Sequence, residues 1–137
     1  MKKIEKPWGY EEIWAETEHY VGKILTILPN HRLSLQYHEK KEETIYVLEG
    51  RLIVWHSEDE NDLSHIEKGG VYHVKPNTVH RFGSFINHCK LLEVSTPELD
   101  DIVRLADDYN RWKFLHIILI LDQIVVQINF LDSYLDL

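Results

Sequence analysis

From Val21 to Ser95 the chain is cut into short segments rich in branched and aromatic residues, each closed by turn chemistry. Val21 to Leu28 ends on Pro29-Asn30, and Arg32 to His38 follows. Thr44 to Leu48 runs into Glu49-Gly50 and is followed by Arg51 to His56, a pattern that predicts a hairpin turn at 49–50. A polar loop spans Ser57 to Asp62. Val71 to Val74 precedes Lys75-Pro76-Asn77, and His80 to Ile86 and Lys90 to Ser95 complete the set. Strands this short and this regularly punctuated predict an all-β sandwich or barrel. Asp100 to Arg111 is polar and is expected as a short helix or coil.

With 137 residues there is material for one domain and one core. The lone Cys89 excludes an internal disulfide and reads as a buried thiol. A net charge of -8 disfavours nucleic acid as a partner, while leaving room for a small anion if the site itself is basic. Met1-Lys2-Lys3 is followed by Glu5, Lys6, Glu11 and Glu12 instead of an apolar run, so a cytoplasmic location is expected. Composition changes after Arg111: residues 1–111 are expected to form the domain, and 112–137 a hydrophobic extension. Its apolar run from Phe114 to Leu121 is broken by Asp122 and Gln123, and later by Gln127 and Asn129. A membrane span needs about 20 apolar residues. The extension is therefore expected to pack on the domain or on a partner chain, a homodimer included, or to remain an appendage, and not to cross a membrane.

Alternation along a strand puts Arg32, Ser34, Gln36, His38 and Lys40 on one face and Leu33, Leu35 and Tyr37 on the other. On this strand alone the apolar set fits a core and the polar set fits solvent. Residues further along add a second reading. Glu43 heads the next apolar strand, and His80 follows the Pro76-Asn77 turn. Ligands at i and i+2 on one strand, a carboxylate on the next and a distant imidazole can converge on one ion. Such donors suit a borderline divalent metal with positions left open, zinc foremost, and no cysteine is present for a structural zinc site.

Asn30, Gln36, His38, Glu43 and Gly50 have the spacing of the first cupin motif, with Asn30 in place of its first Gly and Gln36 in place of its first His. Gly69 and His80 fit the looser second motif, although Lys75, Asn77 and Ser84 depart from its usual residues. The chain thus resembles the cupins, which implies a double-stranded β-helix (jelly-roll barrel) with Gln36, His38, Glu43 and His80 as metal ligands. Three stretches resemble the type II mannose-6-phosphate isomerase domain: Lys6-Pro7-Trp8-Gly9-Tyr10-Glu11, Arg32 to His38, and Asp100-Asp101-Ile102-Val103-Arg104-Leu105 through Asp108-Tyr109-Asn110-Arg111. The likeness covers residues 4 to 111. That domain is often fused behind a guanylyltransferase, of which this sequence shows nothing, so isomerase activity alone is implied.

The resemblance implies a metal-dependent aldose–ketose isomerase of a hexose phosphate, with a sugar phosphate as the small-molecule partner. A non-catalytic sugar-binding or regulatory cupin, and a related cupin sugar isomerase or epimerase, are the alternatives. Arg32 and Arg104 are expected to bind phosphate or the developing oxyanion, Arg104 by resemblance only. Lys40 and Lys41 are expected to solvate a loop. Glu93 shares parity with Leu91 and Ser95 and is the first choice for the base, with Glu49 and His73 as alternatives. His19, His31, His56, His65, His88 and His116 read as surface or loop residues, and Trp8, Trp14 and Trp55 as core or rim aromatics.

Overall fold

A computed structural model describes residues 1–111, 117–121 and 124–128. In chain order its strands are β1 (Lys2–Lys6), β2 (Gly9–Glu16), β3 (Val21–Ile27), β4 (Leu35–Tyr37), β5 (Glu43–Glu49), β6 (Arg51–Trp55), β7 (Leu63–Glu67), β8 (Val71–Val74), β9 (Arg81–Gly83), β10 (Cys89–Ser95), β11 (Val103–Ala106), β12 (Ile117–Leu121) and β13 (Ile124–Ile128). Among the described residues there is no helix. The segment expected as helix or coil contains β11, whose Val103 and Arg104 pair with Tyr37 and Gln36 of β4. Val103-Arg104-Leu105-Ala106 is too short, inside a polar segment, to show an alternating pattern, and pairing with β4 supplies its hydrogen bonds.

One layer is a six-stranded antiparallel sheet in the order β1-β2-β3-β10-β5-β8. The other contains β7-β6-β9 and the pair β11-β4. Single bridges, Arg32 to Gly83 and Gln36 to His80, link these two groups. The hairpin predicted at 49–50 is instead a corner. β5 pairs with β10 and β8, while β6 pairs with β7 and β9, so the chain changes sheets there. Gly50 sits at φ 76, and a Cβ on it would lie 2.3 Å from the His88 carbonyl oxygen. A side chain is thus excluded where the two layers meet.

The core lies between the layers. β3 contributes Leu25 and Ile27, β5 Ile45 and Val47, and β10 Cys89 and Leu91, facing Leu52, Val54 and Phe82. Strand alternation extends each inward row beyond the apolar end. On the same faces follow Lys23 on β3, Glu43 on β5 and Glu93 on β10, all buried. The inner surface of the large sheet is therefore apolar at one end and ionic at the other, and the site occupies the ionic end. The Cys89 thiol lies in the apolar part, where burial pushes its pKa up to about 12.

Candidate metal centre

His38, Glu43 and His80 are all buried, and one ligand atom from each falls within 4.8 Å of the others. His38 follows β4, Glu43 opens β5, and His80 comes just before β9. Backbone pairing of Gln36 with His80, with N–H to O distances of 3.0 and 2.9 Å, brings the two histidine-bearing segments together. The imidazole centroids are 5.2 Å apart.

The hydrogen bonding of the rings prepares them for a cation. Nδ1 of His80 lies 2.9 Å from the carbonyl oxygen of Thr78, and Nδ1 of His38 lies 2.5 Å from that of Asp101. A carbonyl only accepts, so each Nδ1 carries the proton and each Nε2 holds a lone pair. Both Nε2 atoms are buried without a hydrogen-bond partner. They lie 3.8 Å (His38) and 3.3 Å (His80) from Glu43 Oε1. Buried acceptors left unpaired are costly. Two imidazole lone pairs and a carboxylate oxygen turned on one point fit a divalent cation.

Glu43 is held well below the usual carboxylate range. Burial would raise it, and the Lys41 ammonium, which donates to its Oε2, works against that effect. Lys41 Nζ donates to Glu43 Oε2 and, at 2.9 Å, to Glu93 Oε1. Burial would lower the Lys41 pKa, but these two carboxylates raise it instead. The Glu93 pKa is raised by its burial and by the nearby Glu43, more than Lys41 and Lys23 lower it.

A cavity of about 320 Å³ opens beside these groups. Gln36, His38, Glu43, Glu93 and Arg104 line it, together with Trp8, Leu33 and Phe82. Its cations (Lys6, Lys23, Lys41, Arg104 and Arg111) outnumber its carboxylates (Glu11, Glu43, Glu93 and Asp100) by one, in a chain whose net charge is -8. Gln36 Oε1 accepts a hydrogen bond from Ser34 Oγ at 2.6 Å.

Arg32 lies elsewhere. It lines a second cavity of about 250 Å³ with Trp55, Glu60 and Asp108, while its neighbour Leu33 lines the first. The expected sharing of a face by Arg32, Gln36 and His38 is not met, because regular strand begins only at Leu35 and the alternation is broken before it. The Arg32 guanidinium bonds Asp108 at 2.7 and 3.1 Å and Glu60 at 2.8 and 3.1 Å. Of the alternative bases, Glu49 and His73 are exposed and outside the cavity. His19, His31, His56, His65 and His88 stand apart from the cluster, and His116 lies outside the described residues. Trp8 and Trp55 are buried, and Trp14 is half exposed.

The expectation that Lys41 solvates a loop is corrected by its burial between two carboxylates. A signal was present, since Lys41 stands two residues before Glu43 and shares its parity. Asp101 was missed as well. No local pattern announces it, because its partners lie about sixty positions earlier in the chain.

Comparison with known proteins agrees with this architecture. The family described as mannose-6-phosphate isomerase C-terminal matches residues 1–107. The xanthan biosynthesis protein XanB of Xanthomonas campestris pv. campestris is 29% identical over 119 residues, covering 80% of this chain and 24% of that protein. The chain thus spans about a quarter of this relative's length. KdgF from Halomonas sp. superposes with a TM-score of 0.63 at 18% identity, covering 74% of this chain and 92% of that one. A double-stranded β-helix protein from Klebsiella pneumoniae subsp. pneumoniae gives 0.62 at 17% identity, covering 77% and 81%. The polyketide cyclase RemF from Streptomyces resistomycificus gives 0.65 at 18% identity, covering 77% and 76%. At such identities the likeness establishes the fold alone. Joined to the family match, it makes this chain a double-stranded β-helix of the cupin type, a member of the mannose-6-phosphate isomerase C-terminal family.

Proposed function

We propose that this chain is a metal-dependent aldose–ketose isomerase of a hexose phosphate, with mannose 6-phosphate and fructose 6-phosphate as the pair. The observation that carries this reading is the convergence of two unpaired imidazole nitrogens and a carboxylate beside a cavity that holds a second buried carboxyl, Glu93, and one more cation than carboxylates. His38, Glu43 and His80 would hold a divalent metal, zinc foremost, with Gln36 as a fourth donor. When bound, such a metal polarises the sugar carbonyl and stabilises the enediolate charge.

Isomerisation moves one proton from C2 to C1, and a second passes from the C2 hydroxyl to the C1 oxygen across the enediolate. Glu93 is the group assigned to take the proton from C2 of the aldose and return it to C1. Its raised pKa suits a carboxyl that must both accept and release a proton. Lys41 donates to Glu93 Oε1 and holds its carboxyl in place. Arg104, which lines the cavity together with Lys23 and Arg111, is assigned to the phosphate, a task suited to the guanidinium fork. The catalytic part expected of Arg32 finds no support in its position. The name of the Xanthomonas relative supports a place in polysaccharide biosynthesis.

The non-catalytic alternative drew on the motif departures, and two of these are absorbed by the backbone. Asn77 sits at φ 62, where a glycine-like residue is needed, and Ser84 Oγ donates to the Leu28 carbonyl at 2.6 Å. The test is a coupled assay for fructose 6-phosphate formed from mannose 6-phosphate, run on chelator-treated protein with and without added zinc. Zinc-dependent turnover is expected, with zinc lost from His38→Ala and His80→Ala by elemental analysis. A zinc-loaded wild-type chain without turnover would leave only a sugar-binding cupin. Full zinc content in both variants would remove the ligand assignment.

A further inference from the structure

We propose that Asp101 is a positioning residue for the metal centre, tying the closing segment of the chain to the turn after β4 and fixing the pose of His38. The inference rests on the metal-dependent reading above and assigns one of its ligands an outer partner.

Asp101 acts through both its side chain and its main chain. Its carboxylate accepts three consecutive backbone N–H groups: Glu39 at 3.0 Å on Oδ1, and Lys40 at 2.6 Å and Lys41 at 2.7 Å on Oδ2. Successive amides curved around one point form an anion site, here filled by the protein's own carboxylate. Partial burial would raise the Asp101 pKa, and the three amide donors more than reverse this, holding it low. Its carbonyl oxygen accepts the Nδ1 proton of His38. One residue therefore holds His38 and the three positions after it, the last being Lys41, which contacts Glu43.

The two imidazoles differ in what orients them. His80 is held by Thr78, two residues away, so its pose is local. His38 is held from 63 positions away, so its pose depends on the closing segment being seated. That segment continues into β11, where Arg104 pairs with Gln36 across the cavity wall. Asp108 gives it a second anchor through Arg32 without touching His38. Groups that accept the second ring proton of a ligating imidazole fix its tautomer, and their loss commonly weakens metal binding about 10–100-fold.

The experiment is a zinc titration of the full-length chain against a chromophoric chelator, paired with the visible spectrum of the cobalt(II)-loaded protein. Asp101→Ala keeps the carbonyl that accepts from His38 but removes the carboxylate that seats it, so zinc affinity should fall about 10-fold, the lower end of that range, and the cobalt bands should shift. Asp101→Asn, which keeps one acceptor oxygen, should lose less. Asp108→Ala removes the other anchor and should keep wild-type affinity and spectrum. Wild-type affinity with an unshifted spectrum in Asp101→Ala would overturn the inference while leaving the metal reading intact. An equal loss in Asp108→Ala would overturn it too, by showing general loosening. Should Asp101→Ala fail to fold, wild-type affinity in Asp101→Asn is the overturning result. A folded wild-type chain that takes up no zinc would overturn the metal reading itself, and this inference with it.

Discussion

Lys41 lies buried between Glu43 and Glu93, in contact with both carboxylates. Removing one partner from a buried ionic cluster leaves uncompensated charge, which costs about 3–5 kcal/mol. Lys41→Met should therefore lower the unfolding free energy by about 3 kcal/mol in chemical denaturation. A loss below about 1 kcal/mol would mean that solvent reaches the cluster and screens it. The cluster of His38, Glu43 and His80 was legible at this scale because these are ligating residue types at family spacing. Lys41 was misread despite its parity with Glu43, because it follows the exposed Glu39 and Lys40, and a run of charges reads as a solvated turn. Glu93 was legible through parity alone, since it shares the inward face of β10 with Cys89, Leu91 and Ser95. Asp101 was invisible, because its partners are backbone amides brought to it by the fold.

Turns and corners decide which face each strand presents. Asn30 and Asn77 sit at φ 57 and φ 62, and Gly50 at φ 76. Asn tolerates this left-handed region better than most side chains, which is why Asn30 can stand where the motif has glycine. Gly50 cannot be replaced so easily, because its missing Cβ also makes room for the His88 carbonyl at 2.3 Å. Gly50→Ala should cost at least about 1–3 kcal/mol through backbone strain alone, with a further loss from the clash. Gly69→Ala is the comparison: at φ 85 its nearest neighbour would be 3.8 Å away, so only the strain remains. Thermal unfolding of the two variants should rank Gly50→Ala clearly lower, and equal midpoints would show that the corner can shift. The sequence located this turn but misread it, because a hairpin and a change of sheet begin with the same residues. Pairing partners distant in sequence decide between them.

At the scale of the whole molecule, every strand that pairs into the two layers lies between Lys2 and Ala106, and the family match ends at residue 107. β12 and β13 pair only with each other among the described residues. A chain ended at Arg111 is therefore expected to fold, hold its metal and unfold within about 5 °C of the full chain, a shift worth about 1 kcal/mol for a domain this size. Any self-association carried by the extension should disappear from its measured mass. A truncated chain that fails to fold would mean that the extension completes the core. The outer face of the large sheet also leaves Trp14, Tyr46, Val71 and Val94 between 42% and 59% exposed, so the truncated protein retains an apolar surface of its own. The all-β class and the candidate His38, Glu43 and His80 cluster could be read from the sequence, because strand period, turn chemistry and ligand type are local properties. Only the tertiary structure decided that Arg32 leaves the site, that Lys41 and Asp101 enter it, and that β5 and β6 belong to different sheets. Those outcomes depend on contacts between residues far apart in the chain, which no local pattern encodes.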